Sequence, residues 1–338
     1  MNNRDLLEKI NQTAEKIQFS GTFYVKSKTV SLTESYGYAN RSEKIKNQSK
    51  TRYGIASGCK IFTAIAICQL VEEGKVSFNT KLNECLDIDF PYFDPNVTIH
   101  HLLSHTSGIP DYFDEEEMDD YEELWITTPM YHIRKLQDFL PLFQNRKMKN
   151  AAGTAFHYNN AGYIVLGLIV EKVSGMIFSD YIEKFIFQKA GMTESGYFEI
   201  DELPERTALG YVKKPDGGWK TNIYSLPAKS ASDGGAYVTA EDMIHFWEAL
   251  MNDQLLKPET TQTLLKAMAE IDEDLFYGYG VYMLREEEAI EKYILMGYDP
   301  GVNFRCVYYP DTKLNIVVCS NESEGAYEIL KEIEYAIL

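Results

Sequence analysis

Apolar and polar positions change their spacing twice along this chain. Residues 2–17 (NNRDLLEKINQTAEKI) set Leu6, Ile10 and Ile17 on roughly one side of a helix. Alternation follows, so that 22–26 and 31–38 predict a hairpin turning at Ser27, Lys28 and Thr29, and the polar stretch 40–50 predicts a loop. Residues 57–73 (SGCKIFTAIAICQLVEE) predict a strong amphipathic helix stopped by Gly74. Helical patterns continue over 99–103, 133–143, 161–173, 178–188, 240–251 and 258–268. Strand patterns return at 278–284, 293–296, 303–309 and 314–320, and a helix at 327–338 closes the chain.

Strands at both ends around a helical middle predict an α+β fold, in which one sheet is assembled from both termini and flanked by helices. No fixed-period repeat or low-complexity tract interrupts it. A length of 338 residues suits one unit of two lobes. The expected division is an α/β lobe over about 1–60 and 270–338 and a helical lobe over about 61–269.

Charge narrows the partners. With 33 Lys+Arg against 51 Asp+Glu the formal charge is -18, which argues against nucleic acid and anionic membrane surfaces and leaves a small-molecule or peptide substrate as the expected partner. Much of the excess lies in residues 111–123 (DYFDEEEMDDYEE), read by itself as a solvated loop or a helix entrance. Five cysteines without metal-ligand spacing do not make a disulfide scaffold. The amino terminus lacks the apolar run of a signal peptide and no segment has the length of a membrane span, so the expectation is a cytoplasmic protein. Oligomeric state is not legible.

Candidate chemistry begins at Ser57-Gly58-Cys59-Lys60, where Ser57 is the one serine with a lysine three positions on. Three residues is almost one helical turn, so hydroxyl and amine share a face. A serine needs a neighbouring base to become a nucleophile, and a lysine serves if its environment favours the neutral amine. At a helix start the Ser57 N–H is also free to stabilise an oxyanion. Read structurally, Ser57 caps a helix and Lys60 is solvated, and chance supplies the spacing about once in a chain of ordinary composition and this length. The second element decides: Tyr158-Asn159-Asn160 stands between a turn at Ala152-Gly153-Thr154 and the apolar helix 161–173. Tyr158 can exchange a proton with Ser57 or Lys60 if nearby ammonium groups lower its pKa, and Asn160 can hold the lysine and a substrate amide. Tyr38-Ala39-Asn40 has the same residue types but ends a strand, as a turn does.

With these motifs the chain resembles the penicillin-recognising serine hydrolases, the family of class C β-lactamases, DD-peptidases and related serine esterases. The resemblance rests on YGIASGCKIFTAIAICQLVEEGKVSFNTKL, TIHHLLSHTSGI, FHYNNAGYIVLGLIVEKVSG and SDGGAYVTAEDMIHF, in order from about Thr51 onward. It implies a β-lactamase/transpeptidase-like fold and an acyl-enzyme at Ser57, with Lys60 and Tyr158 moving the proton, Asn160 orienting the substrate, and no cofactor or metal.

One element departs from the family. Its third motif is a Lys or His, then Thr, Ser or Gly, then Gly, on a strand lining the site; here Leu295 and Met296 precede Gly297 and Tyr298. The resemblance makes Leu295, Gly297 and Tyr298 substrate-binding positions, with the Tyr298 N–H completing the oxyanion hole. Loss of the cation predicts poor recognition of anionic acyl groups and a neutral or cationic substrate, or else a binding or regulatory protein with weakened catalysis. His101 and His105 form an i, i+4 pair without the Glu of a metal motif and read as structural residues. Asp233-Gly234-Gly235 reads as a turn that needs glycine.

Overall fold

The computed structural model describes residues 3–118, 120–287 and 289–338. Asn2 of the first predicted helix and Asp119 of the acidic run lie outside the described residues. Helix α1 (Asn3–Ile17) leads into strands β1 (Gly21–Lys26) and β2 (Ser31–Tyr36). Six further strands come from the other end of the chain: β3 (Ala269–Asp272), β4 (Leu275–Tyr277), β5 (Tyr282–Glu286), β6 (Ala289–Asp299), β7 (Val302–Tyr309) and β8 (Leu314–Ser320). They form one antiparallel sheet in the order β2-β1-β8-β7-β6-β5-β4-β3, with β1 joined to β8 by Thr22↔Cys319 and Val25↔Ile316. The two termini therefore meet inside one sheet, between its second and third strands, as the pattern of strands at both ends predicts.

Helices cover both faces of the sheet. Leu6, Ile10 and Ala14 repeat every four residues along α1 and pack with Ile329 and Ile333 of helix α5 (Ala326–Ile337) over Phe23, Val25, Ile316 and Val318. Fully buried side chains such as Ile10 and Ile333 each contribute about 1.5–3 kcal/mol. On the other face, Trp247 of helix α4 (Ala240–Met251) stacks on Tyr308, ring centroids 5.1 Å apart.

Helix α2 (Lys60–Glu72) differs from its predicted character. It is buried on all sides from Lys60 to Leu70, wedged against helix α3 (Asn160–Ser174) and the loops around it, so its small residues answer close packing and it has no solvent face. Gly74, at φ +70°, ends the segment as expected. Residues 133–143 are not an α-helix: a 3₁₀ helix spans Leu136–Leu142, because Pro141 lacks the N–H that an α-helix would use there. The predicted loop 40–50 contains a short ladder of Tyr38–Asn40 with Ile45–Lys46. The expected strand 293–296 runs over Ala289–Asp299, since Glu291 and Lys292 obscured its alternation. All five cysteines are buried thiols. No single helix among the described residues is long and apolar enough to cross a membrane.

Candidate active site

Ser57 lies in a 3₁₀ turn, Ala56–Cys59, that feeds directly into α2. Ala56, immediately before it, takes φ +44°, a left-handed conformation that costs a non-glycine residue about 1–3 kcal/mol. Tertiary contacts hold it there: the Gly235 N–H donates to Ala56 O at 3.0 Å and the Ile55 N–H to Ala236 O at 3.0 Å. Gly235 itself has φ +93°, which explains the glycine in Asp233-Gly234-Gly235.

Lys60 is 1 % exposed, and its Nζ donates to Ser57 Oγ at 2.9 Å, Asn160 Oδ1 at 2.8 Å and Asp233 O at 2.7 Å. Three acceptors match the three donors of an ammonium group. The serine, the lysine and Asn160 are thus brought together as the motif spacing suggests. The Asp233 carbonyl was not foreseeable, because a main-chain acceptor leaves no mark on residue identity.

Tyr158 is partly buried and stands on the same cluster, with Lys60 Nζ 4.8 Å from the centroid of its ring. Its phenol does not titrate low as base catalysis would require. Burial, with Tyr282 and Glu115 adding to it, holds the hydroxyl well above the ordinary tyrosine range, against the pull of a hydrogen bond with Ser57. His105 supports the tyrosine from behind, its ring 4.4 Å from that of Tyr158. Its Nδ1 accepts from the Asn159 N–H at 3.0 Å and its Nε2 lies 3.1 Å from Tyr277 Oη, which fixes the tautomer. Burial, then Lys60 and His157, keep this imidazole well below the usual range, hence neutral.

Asn159 caps α3, its Oδ1 accepting from the Gly162 N–H at 2.7 Å, and thereby sets Asn160 as the first helical residue facing α2. The acidic run is solvated only in part: Glu115, Glu116, Glu117, Asp120 and Glu123 are exposed, whereas Asp111, Tyr112 and Asp114 at its start are buried. Tyr112 donates its hydroxyl to Asp233. Asp114, Glu116 and His157 draw close together, but Lys149 already pairs with Asp114 and with Glu116 (3.3 Å), so this cluster's charge is met by a cation of the chain.

The strand edge beside Ser57 comes from β6. Strand β5 pairs with β6 only as far as Tyr282↔Ile294, so Leu295–Asp299 of β6 are held by β7 alone and one edge faces the cleft. Gly297 is packed onto the Ser57 turn so closely that a Cβ would lie 2.0 Å from Ile55 O. Leu295 shares that face and is 2 % exposed in the core, so it does not line the cleft as a substrate-binding residue would. Strand periodicity is the reason: the 295 side chain points, like the Cβ direction of Gly297, to the face covered by the Ser57 turn, while Met296 on the opposite face lines the cleft. Tyr298 stands at the mouth, 63 % exposed.

The cleft encloses about 880 Å³ and is lined by Ser57, Tyr158, Asn160, Met296 and Tyr298 among others. Two of its charged residues, Arg305 and Asp299, carry no signal in the sequence. Arg305, directly across from Met296 on β7, brings a guanidinium to the cleft, its affinity for the proton lowered by burial. Asp299 lies near Asp233 and Glu115, and burial followed by the repulsion of Asp233 pushes its carboxyl up to about 8. A carboxyl raised in the folded state stabilises fold fully below the ordinary value near 4 and loses that contribution as pH rises through about 8. Asp299→Asn should accordingly raise the unfolding temperature more at pH 9 than at pH 5, as read by calorimetry. An equal shift at both values would refute this.

Residues 14–336 match the family profile described as Beta-lactamase. The chain is 30 % identical to Penicillin-binding protein 4* of Bacillus subtilis over 99 % of this chain and 76 % of that one. The crystal structure of a penicillin binding protein from Bacillus halodurans is 55 % identical, with a TM-score of 0.94, covering 97 % of this chain and all (100 %) of the other. A D-amino acid amidase of Ochrobactrum anthropi shares the fold at 20 % identity, with a TM-score of 0.81 over 98 % of this chain and 99 % of its own. The fold built from both termini, the buried Ser57–Lys60 turn and these matches agree: the chain belongs to the β-lactamase family.

Proposed function

We propose that the protein is a serine hydrolase that cleaves an ester or amide through an acyl-enzyme at Ser57. The observation that carries this reading is the Ser57 Oγ held 2.9 Å from a buried lysine that two further acceptors fix in place. With Lys60 in its neutral form, the Ser57 oxygen attacks the substrate carbonyl as its proton goes to the Lys60 amine. Tyr158 gives its own proton to the leaving group and is reprotonated from Lys60, and water later attacks the acyl-enzyme, releasing the acid and returning a proton to Ser57. Tyr158, kept protonated by burial, is suited to donating that proton. The N–H groups of Ser57 and Tyr298 form the oxyanion hole, and the open edge of β6 receives the substrate main chain. The α/β and helical lobes act as one unit meeting at this cleft. Intact-mass measurement after incubation with a fluorophosphonate tests the reading. One adduct is expected, and none after prolonged incubation would sink the proposal.

Glu115 and Asp120 line the cleft and favour a neutral or cationic acyl group there, while Glu122 is already paired with Lys220. Among p-nitrophenyl esters, one carrying an ammonium group is expected to have roughly a tenfold lower KM than its carboxylate counterpart. The reverse order would shift recognition to Arg305. A second reading, a binding or regulatory protein of this fold, is favoured by Leu295, which puts an apolar side chain where the family carries a cation. Leu295→His separates the two: a large gain in hydrolysis supports weakened catalysis, and substantial native turnover removes that reading.

A further inference from the structure

We propose that Asp111 is a positioning residue for this site, whose carboxylate determines which end of the Asn160 amide faces Lys60. The inference rests on Ser57 and Lys60 being the acylating pair. Four N–H groups converge on the two carboxylate oxygens: Asn160 N at 2.7 Å and Asn160 Nδ2 at 3.3 Å on Oδ2, and Tyr112 N at 2.7 Å and Ala161 N at 2.9 Å on Oδ1. All four can only donate, and an ionised carboxylate can only accept. With Nδ2 engaged by Asp111 and by Phe113 O at 3.3 Å, the other end of the amide, Oδ1, is left for Lys60 Nζ at 2.8 Å. Turned over, the amide would set its NH2 against the ammonium and leave Asp111 facing an oxygen.

Two features bear on the charge of Asp111. It accepts from the first two N–H groups of the 15-residue helix α3, where the macrodipole favours an anion. It is also 4 % exposed, and burial raises its carboxyl to about 7 against the pull of those amides and of Lys60. The other groups on it are Tyr112 and Tyr121 of its own segment, with Asp233 acting on Tyr112, while Arg146 donates to its main-chain oxygen at 3.0 Å. As pH falls through about 7, Asp111 takes a proton, the four-donor arrangement loses its anion, and Asn160 is released from its fixed orientation.

The test needs no substrate for its first arm. In the native protein the Asn160 side-chain amide, assigned by its loss in Asn160→Asp, should titrate by NMR with a midpoint near that of Asp111 and exchange slowly above it. An amide that neither titrates nor resists exchange would overturn the proposal. The second arm is Asp111→Asn, which presents an NH2 to one or other pair of donors whichever way it turns. Acylation of Ser57 by a p-nitrophenyl ester is expected to fall roughly ten- to hundredfold in rate at pH 8 with little change in KM, and the acid limb of the rate profile should disappear. A folded Asp111→Asn protein with the native rate and profile would overturn it. If native Ser57 is never acylated, the hydrolase reading falls and the NMR arm alone decides the role of Asp111.

Discussion

Ser57→Ala is expected to abolish the fluorophosphonate adduct and to lower ester hydrolysis by at least about a thousandfold, because the Ser57 Oγ, hydrogen-bonded to the Lys60 Nζ, is the oxygen that forms the proposed acyl-enzyme. The fold should tolerate the change. Ser57 is only partly buried, and Lys60 keeps its bonds to Asn160 Oδ1 and Asp233 O. A variant with the native unfolding temperature and no adduct would assign the chemistry to this residue. Labelling that persists in the variant, or hydrolysis within tenfold of native, would place the nucleophile elsewhere. Lys60→Ala is a less clean experiment, since it also strands two buried acceptors at a cost of about 1–3 kcal/mol each.

Gly297→Ala should be nearly as damaging, and for a different reason. The added methyl carbon would meet Ile55 O at 2.0 Å and Gly58 N at 2.9 Å, both main-chain atoms of the nucleophile turn, so no side-chain rotation relieves the clash. Either the strand edge or the turn must move. A displacement near 1 Å at reacting groups costs roughly a hundredfold in rate, and the loss of one oxyanion donor costs about 10²–10³-fold. The expected result is a fall in kcat of that order, with stability lowered by about 1–3 kcal/mol through overpacking. Native kcat and an unchanged unfolding temperature would mean that β6 does not form the wall of the reacting site. Met296, one residue earlier, lines the cleft without this constraint, and Met296→Ala is the control for a general effect of altering the strand.

These two experiments separate what is local from what is assembled. Ser57 and Lys60 were legible because three residues on a helix bring side chains together whatever the rest of the chain does. Asn160 was legible for a related reason: Tyr158-Asn159-Asn160 stands between a glycine turn and the apolar run that becomes α3, and the structure adds that Asn159 caps that helix. Apolar patterning also carried the joining of both termini into one sheet, since strands that alternate at each end must find partners. The 3₁₀ turn over Leu136–Leu142 was misread as an α-helix because its apolar spacing outweighed Pro141, although that proline was visible.

What the sequence by itself determined is the order of elements, the Ser57–Lys60 pair as candidate nucleophile and base, and the absence of a cation at position 295. Those are properties of neighbours in the chain or of residue identity. Only the tertiary structure decided that Leu295 is buried beneath the turn, that Arg305 reaches the cleft, and that a buried carboxylate 49 residues before Asn160 holds its amide. It also supplied the Asp233 carbonyl to Lys60 across 173 residues. Such contacts depend on where packing brings distant segments and on main-chain atoms that every residue carries, and neither leaves a periodicity or a residue type to read.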